Sequence, residues 1–212
     1  MRNCRIDFFM YNVQKDSAMK RVLFIVISAL LSVYVSAQSS TNHMTFKGIP
    51  IDGSIDEFVS GMKQKGFTFI VVEDGVAFFT GEFAACSPCT IKAVSSNSTN
   101  VVSHVSVSFP SCETWPILLD NYSKLKSMLT QKYGKPKDCV EKFESFHSPD
   151  DDSSRMYELK FDRCKYWTQW ETKKGYIKLN IAHEGVMSCF VVLSYWDKVN
   201  TEKVNKSAMD DL

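Results

Sequence analysis

Residues 101–109 carry the pattern that most restricts the fold. Val101, Ser103, Val105 and Val107 fall on one side of an extended chain, and Val102, His104, Ser106 and Ser108 fall on the other. A strand with one apolar and one polar side belongs to a sheet covered on a single face. Such a chain must lay helices on that face and leave the opposite one to solvent or to a partner.

The flanking segments extend the sheet. Residues 67–72 and 76–83 are rich in aromatic and β-branched side chains and flank the hairpin signal Glu73-Asp74-Gly75. Residues 90–95 pair with 101–109 around the polar tip 96–100, and residues 165–172, 176–182 and 187–196 read as a meander with turns at Lys173-Lys174-Gly175 and Glu184-Gly185. Residues 45–51 read as a short edge strand interrupted at Pro50.

Two helices have clear punctuation. Ser54 and Glu57 form a capping box ahead of Ile55, Phe58, Val59 and Met62, and Gly66 closes that helix. Over 114–133, Thr114 is placed to cap, Pro116 is tolerated in the first turn, and Gly134 with Pro136 stops the chain. Leu118, Tyr122, Leu125 and Leu129 repeat at helical spacing and predict the face that meets the sheet. Residues 153–163 admit two readings: Tyr157, Leu159 and Phe161 alternate as a strand would, while Asp152 or Ser153 could cap a short helix through Met156 and Leu159. The predicted fold class is α+β, a mainly antiparallel sheet with two or three helices on one face. Helix followed by strands occurs twice, which suggests a duplicated helix-plus-hairpins unit with halves 45–110 and 111–200.

The first forty residues point to export. Lys20 and Arg21 precede an apolar run over 22–35 broken only by Ser28 and Ser32, and Val35-Ser36-Ala37 offers the small residues of a cleavage box. The run falls short of the roughly 20 residues that a membrane-spanning helix needs, so no permanent span is expected after cleavage. Residues 1–18 then read as a start-site extension before Met19, 19–37 as a signal peptide, 38–44 as a flexible leader, 45–200 as one domain and 201–212 as a loose tail. Of the 25 Lys and Arg, five precede residue 38, and of the 24 acids two do, leaving 20 positive against 22 negative groups. That near balance gives no support to nucleic acid as a partner.

Six cysteines follow the leader: Cys86, Cys89, Cys112, Cys139, Cys164 and Cys189. In an exported chain an even set reads as disulfides. Fifteen pairings are possible and sequence does not separate them. A working assignment joins Cys86 to Cys89, Cys139 to Cys164 and Cys112 to Cys189.

Chemical motifs are sparse. Cys86-Ser87-Pro88-Cys89 has the spacing of a thiol-redox box, but it lies between strands, without the helix N-terminus that lowers a thiol pKa. Zinc would need a second close pair of ligands, and His43, His104, His147 and His183 are scattered. Asp150-Asp151-Asp152 lacks the glycine and closing glutamate of a calcium loop, and no serine stands in a nucleophile elbow. No catalytic residue, metal or cofactor is therefore expected. Tyr166, Trp167, Trp170 and Trp196 lie on strands whose two faces alternate, so at least one large ring is expected to face away from the core, where it would suit a protein or glycan ligand; the other reading covers both faces with helices or a neighbouring strand.

The Met-Lys-Arg leader ending in Val-Ser-Ala-Gln, the opening Phe46-Lys47-Gly48-Ile49-Pro50-Ile51-Asp52-Gly53 and the stop Lys132-Tyr133-Gly134-Lys135-Pro136 resemble uncharacterised exported proteins of gut Bacteroidetes. By analogy the layout is similar to β-lactamase-inhibitor-like folds. The resemblance implies no catalytic residues. The expectation is an exported, non-enzymatic binding or interaction module of the periplasm or cell surface. A protein inhibitor of an enzyme is the alternative, and a thiol-disulfide protein using Cys86 and Cys89 is the third reading.

Overall fold

The computed structural model describes residues 42–96, 99–144 and 149–210. Residues 1–41, the tip at 97–98 and His147 lie outside the described residues, and the last three residues of the 38–44 leader lie within them.

A two-stranded hairpin, β1 (Thr45–Phe46) and β2 (Ile49–Pro50), opens the described chain. The edge strand predicted over 45–51 is thus folded back on itself, because Lys47 (φ 51°) and Gly48 (φ 83°) take the left-handed conformation of a tight turn. Helix α1 (Ile55–Gln64) follows, with the Ser54–Glu57 capping box present in both directions. It leads into β3 (Thr68–Glu73), β4 (Val76–Phe83), β5 (Cys86–Ser95) and β6 (Val102–Ser108).

The same plan then recurs. Helix α2 (Trp115–Tyr133) leads into β7 (Asp138–Phe143), β8 (Cys164–Thr172), β9 (Gly175–Glu184) and β10 (Ser188–Asp197), with helix α3 (Asp152–Lys160) inserted between β7 and β8. The two sets form one antiparallel sheet in the order β3-β4-β5-β6-β10-β9-β8-β7. Each set runs from an outer edge inward, and its last strand meets its counterpart at the centre. The repeat expected from element order is therefore a repeat of topology.

One face of the sheet is covered. Phe58, Val59 and Met62 of α1 share a core with Leu118, Tyr122, Leu125 and Leu129 of α2, all on the faces that periodicity predicts. That core takes alternate strand residues: Ala77, Phe79, Ile91, Ala93, Val105, Val107, Ile177, Leu179, Val191 and Leu193, each at most 2% exposed. The residues between them stay partly exposed.

Three segments differ from expectation or resolve it. Residues 152–160 are helical because Asp151 accepts a hydrogen bond from the Ser154 N–H, so the cap lies one residue before those foreseen. Strand β7 was not foreseen, since Asp138, Glu141 and Lys142 charge both of its faces, as suits a sheet edge. The expected loose tail from 201 is mostly helix α4 (Lys198–Asp210). Its anchor is polar. Asp197 is fully buried and accepts bonds from the Met44 N–H (2.7 Å), the Asn200 N–H (2.9 Å) and the His43 Nδ1 (3.0 Å). Asn200, also fully buried, directs its amide at the carbonyls of Ile51 (3.0 Å) and Val102 (3.1 Å). Gly175 opens β9 with φ 152°, and any Cβ there would stand 1.9 Å from the Trp196 carbonyl oxygen. Among the described residues no helix is long and apolar enough to cross a membrane.

Candidate functional site: the open face of the sheet

Three rows of side chains cross the uncovered face, each fixed by strand register. The first runs Val76, Val94, His104, Trp196, Tyr176 and Glu171. The second runs Phe78, Lys92, Ser106, Ser194, Lys178, Gln169 and Asp138. The third runs Thr80, Thr90, Ser108, Val192, Asn180, Trp167 and Val140. Every one belongs to the strand positions that alternate with the core, so polar and aromatic groups gather here by periodicity alone.

The aromatic rings are engaged with one another. His104 stacks on Trp196 with centroids 4.4 Å apart and planes 9° apart, and Tyr176 stacks on Trp196 at 4.6 Å and 10°. Both faces of the Trp196 indole are thus occupied. Lys178 places its ammonium 5.0 Å from the Trp167 ring centre, and Lys92 lies 5.4 Å from that of Phe78. These cation–π contacts hold two lysines on the face. The row interiors carry Lys92 and Lys178, while the carboxylates Glu171 and Asp138 lie on the outer strands β8 and β7.

A groove of about 750 Å³ deepens one end of this face, lined by Pro88, Thr90, Lys92, Ser108, Phe190 and Val192, with His183 and Glu184 at its side. A second recess of about 300 Å³ includes Trp167, Lys178 and Asn180 and also meets His183. His183 Nδ1 lies 2.7 Å from the Gly185 carbonyl and Nε2 lies 3.1 Å from Asp162. Both ring nitrogens therefore meet acceptors, and these two contacts raise the pKa of the imidazole above its usual range. Both contacts favour the protonated ring beside the groove.

Of the four aromatics singled out from sequence, Trp167 and Trp196 lie on the open face and two do not. Trp170 is fully buried and donates its Nε1–H to the Gly134 carbonyl (3.1 Å). Tyr166 packs on the covered side against Trp115, Tyr122 and Phe143. The cause is parity: residues 166, 168 and 170 share one side of β8, and α2 covers it. Lys92, Lys178 and His183 were not foreseen. The alternation of Thr90, Lys92 and Val94 and of Tyr176, Lys178 and Asn180 held the signal, but only the sheet order brings those strands beside His104.

The six cysteines carry free thiols in this structure. Cys139 stands opposite Thr168 and Cys164 opposite Phe143, so four residues of paired strand, about 13 Å, separate them. A disulfide needs Cα atoms within about 7 Å, which rules out the Cys139–Cys164 pair. Cys139 instead lies 3.3 Å from Lys126 Nζ and 3.3 Å from Thr168 Oγ1. Cys86 and Cys89 both belong to β5, and Cys89 points its Sγ at the Cys86 carbonyl (3.3 Å). Burial pushes the Cys89 thiol up to about 11 and the Cys164 thiol up to about 12. Asp151 and Asp152 are spent on capping α3 and pairing Arg155. Among the described residues no group of three or more His, Cys, Asp or Glu is placed to hold a metal. Comparison of the chain with protein-family models, with curated proteins and with solved structures finds no match.

Proposed function

We propose that this chain is an exported, non-enzymatic interaction module of the periplasm or cell surface, and that its open sheet face docks a protein partner with an acidic surface. The observation that carries the reading is the uncovered face itself, with Lys92 and Lys178 held inside it by aromatic rings, Glu171 and Asp138 on the outer strands, and, among the described residues, Glu184 as the one acid at the side of the groove. Export rests on the leader with its basic pair, apolar run and small-residue box.

Size and chemistry favour a protein over a glycan. Eight strands span about 34 Å, and their length of about 25–30 Å gives a face of roughly 900 Å². That is close to the 800 Å² or so each partner contributes to a standard interface. A sugar would need a free ring face, and both faces of Trp196 are stacked while Trp167 carries Lys178. The thiol-redox reading gains nothing from the geometry, since the Cys86–Cys89 box is strand from its first residue and burial makes Cys89 a poor thiolate.

The test uses purified wild-type protein and a Lys92→Glu, Lys178→Glu double variant as baits for the envelope fraction of the source cell. Wild type should retain one defined acidic protein at low salt, release it near 300 mM salt, and lose it in the double variant. Equal retention by both baits, or selective binding to a glycan array instead, would overturn the reading.

A further inference from the structure

The thiols deepen the export reading. Five of the six cysteines belong to one end of the sheet or its covered core, and two of them meet backbone to backbone. Phe109 donates its N–H to the Val191 carbonyl (3.0 Å), and after Pro110 the chain rejoins β10 with the Cys112 N–H on the Cys189 carbonyl (2.8 Å). One N–H···O bond of this length keeps the two backbones adjacent, without the return bond that a regular strand pair exchanges. Disulfides form across Cα separations of about 4.4–6.8 Å, which backbones joined by one such bond reach, and the Cys189 thiol feels the charge of Cys112. Both side chains belong to the same core, 8% and 1% exposed, where an unpaired thiol has little else to do. The Cys112 sulfur makes two weak contacts, accepting from Asn121 Nδ2 at 3.3 Å and donating to the Pro110 carbonyl at 3.7 Å.

We infer that Cys112 and Cys189 form a disulfide in the exported protein, tying the connection between the two helix-and-strand sets to the last strand of the second. The step is thiol–disulfide exchange with a protein or small-molecule disulfide of the oxidising compartment. One cysteine thiolate attacks that disulfide and expels a thiolate, and the second cysteine attacks the mixed disulfide and expels the other. The two cysteine sulfurs lose two electrons and two protons in all, and the donor leaves as two thiols. The neighbouring candidates are Cys86 for Cys112, which feels its charge, and Cys164, which feels Cys189 but stands on β8 with β9 between the two strands. Cys139 has no such neighbour, since the strand register holds it about 13 Å from Cys164 and still more strands separate it from Cys86 and Cys189.

The inference rests on export, and one experiment separates the two. Full-length reduced protein is refolded in a buffer of oxidised and reduced glutathione, its remaining thiols are alkylated, and its peptides are mapped without reduction. A linked peptide pair containing Cys112 and Cys189 is expected in high yield. Free thiols at both positions, or Cys112 joined to Cys86, would overturn the pairing. The same map is made on protein recovered from the source cell: the 112–189 link there supports both readings. Free thiols there beside a link formed in the glutathione buffer would sink export and leave the pairing standing. A Cys112→Ser, Cys189→Ser variant should unfold at a lower denaturant midpoint than wild type after oxidation and at a similar one after reduction.

Discussion

His104 is half-buried on the open face, pressed against Trp196, with its Nε2 out of contact with solvent and lacking a hydrogen-bond partner among the described residues. Burial alone lowers its pKa to about 4, against an ordinary value near 6.5. The folded state therefore prefers the neutral ring. Its contribution to stability is complete above pH 6.5 and is lost as pH falls toward 4, by up to about 3 kcal/mol for a shift of that size. His183 works in the opposite sense: its raised pKa stabilises the fold below pH 6.5, and that is lost as pH rises through the raised value. Urea midpoints at pH 7.5 and 4.5 should fall less for His104→Phe, which keeps a ring in the stack, than for wild type. Parallel losses in the two proteins would remove His104 from the account. None of this was legible at residue level. His104 could be assigned to the polar side of its strand, but the chain's text does not give the stack that buries it, because Trp196 lies 92 positions away. Parity was readable and its sign was not: alternation put Trp167 and Trp170 on opposite faces without telling which face α2 would cover.

Elements were legible where their punctuation is local. The capping box of α1, the Gly134 stop of α2 and the apolar stripe of α2 act through neighbours three or four residues away, so sequence carries them. Thr114 takes the cap position of α2 without making a side-chain bond there, and Pro116 and the buried Trp115 start that helix instead. Helix α4 was not legible, because Lys, Asn and other polar residues make up most of it and no apolar stripe recurs. Its hold on the domain is the buried pair Asp197 and Asn200, which join segments about 100 and 150 residues apart. Asn200→Ala would strip the Ile51 and Val102 carbonyls of their donor, at a cost of about 2–3 kcal/mol. The variant is expected to melt roughly 5–10 °C lower and to be clipped sooner within 201–210 by a nonspecific protease. Unchanged melting and cleavage would show that α4 is held by something else.

At the scale of the whole molecule, the order of elements already implied one α+β layer pair, and the sheet order supplied what sequence withholds. Joining β6 to β10 sets the two helix-and-strand plans edge to edge and extends the open face across all eight strands. A four-stranded half would offer about half that area, below what a stable interface uses. This broad uncovered face is the proposed docking surface for the partner. Site-specific photocrosslinking tests it most directly, with a benzophenone amino acid at Thr90, exposed beside the groove, or at Lys124 on the solvent side of α2. In the native envelope the Thr90 probe is expected to capture one acidic protein that the Lys124 probe does not touch. Capture from Lys124 with none from Thr90 would contradict it.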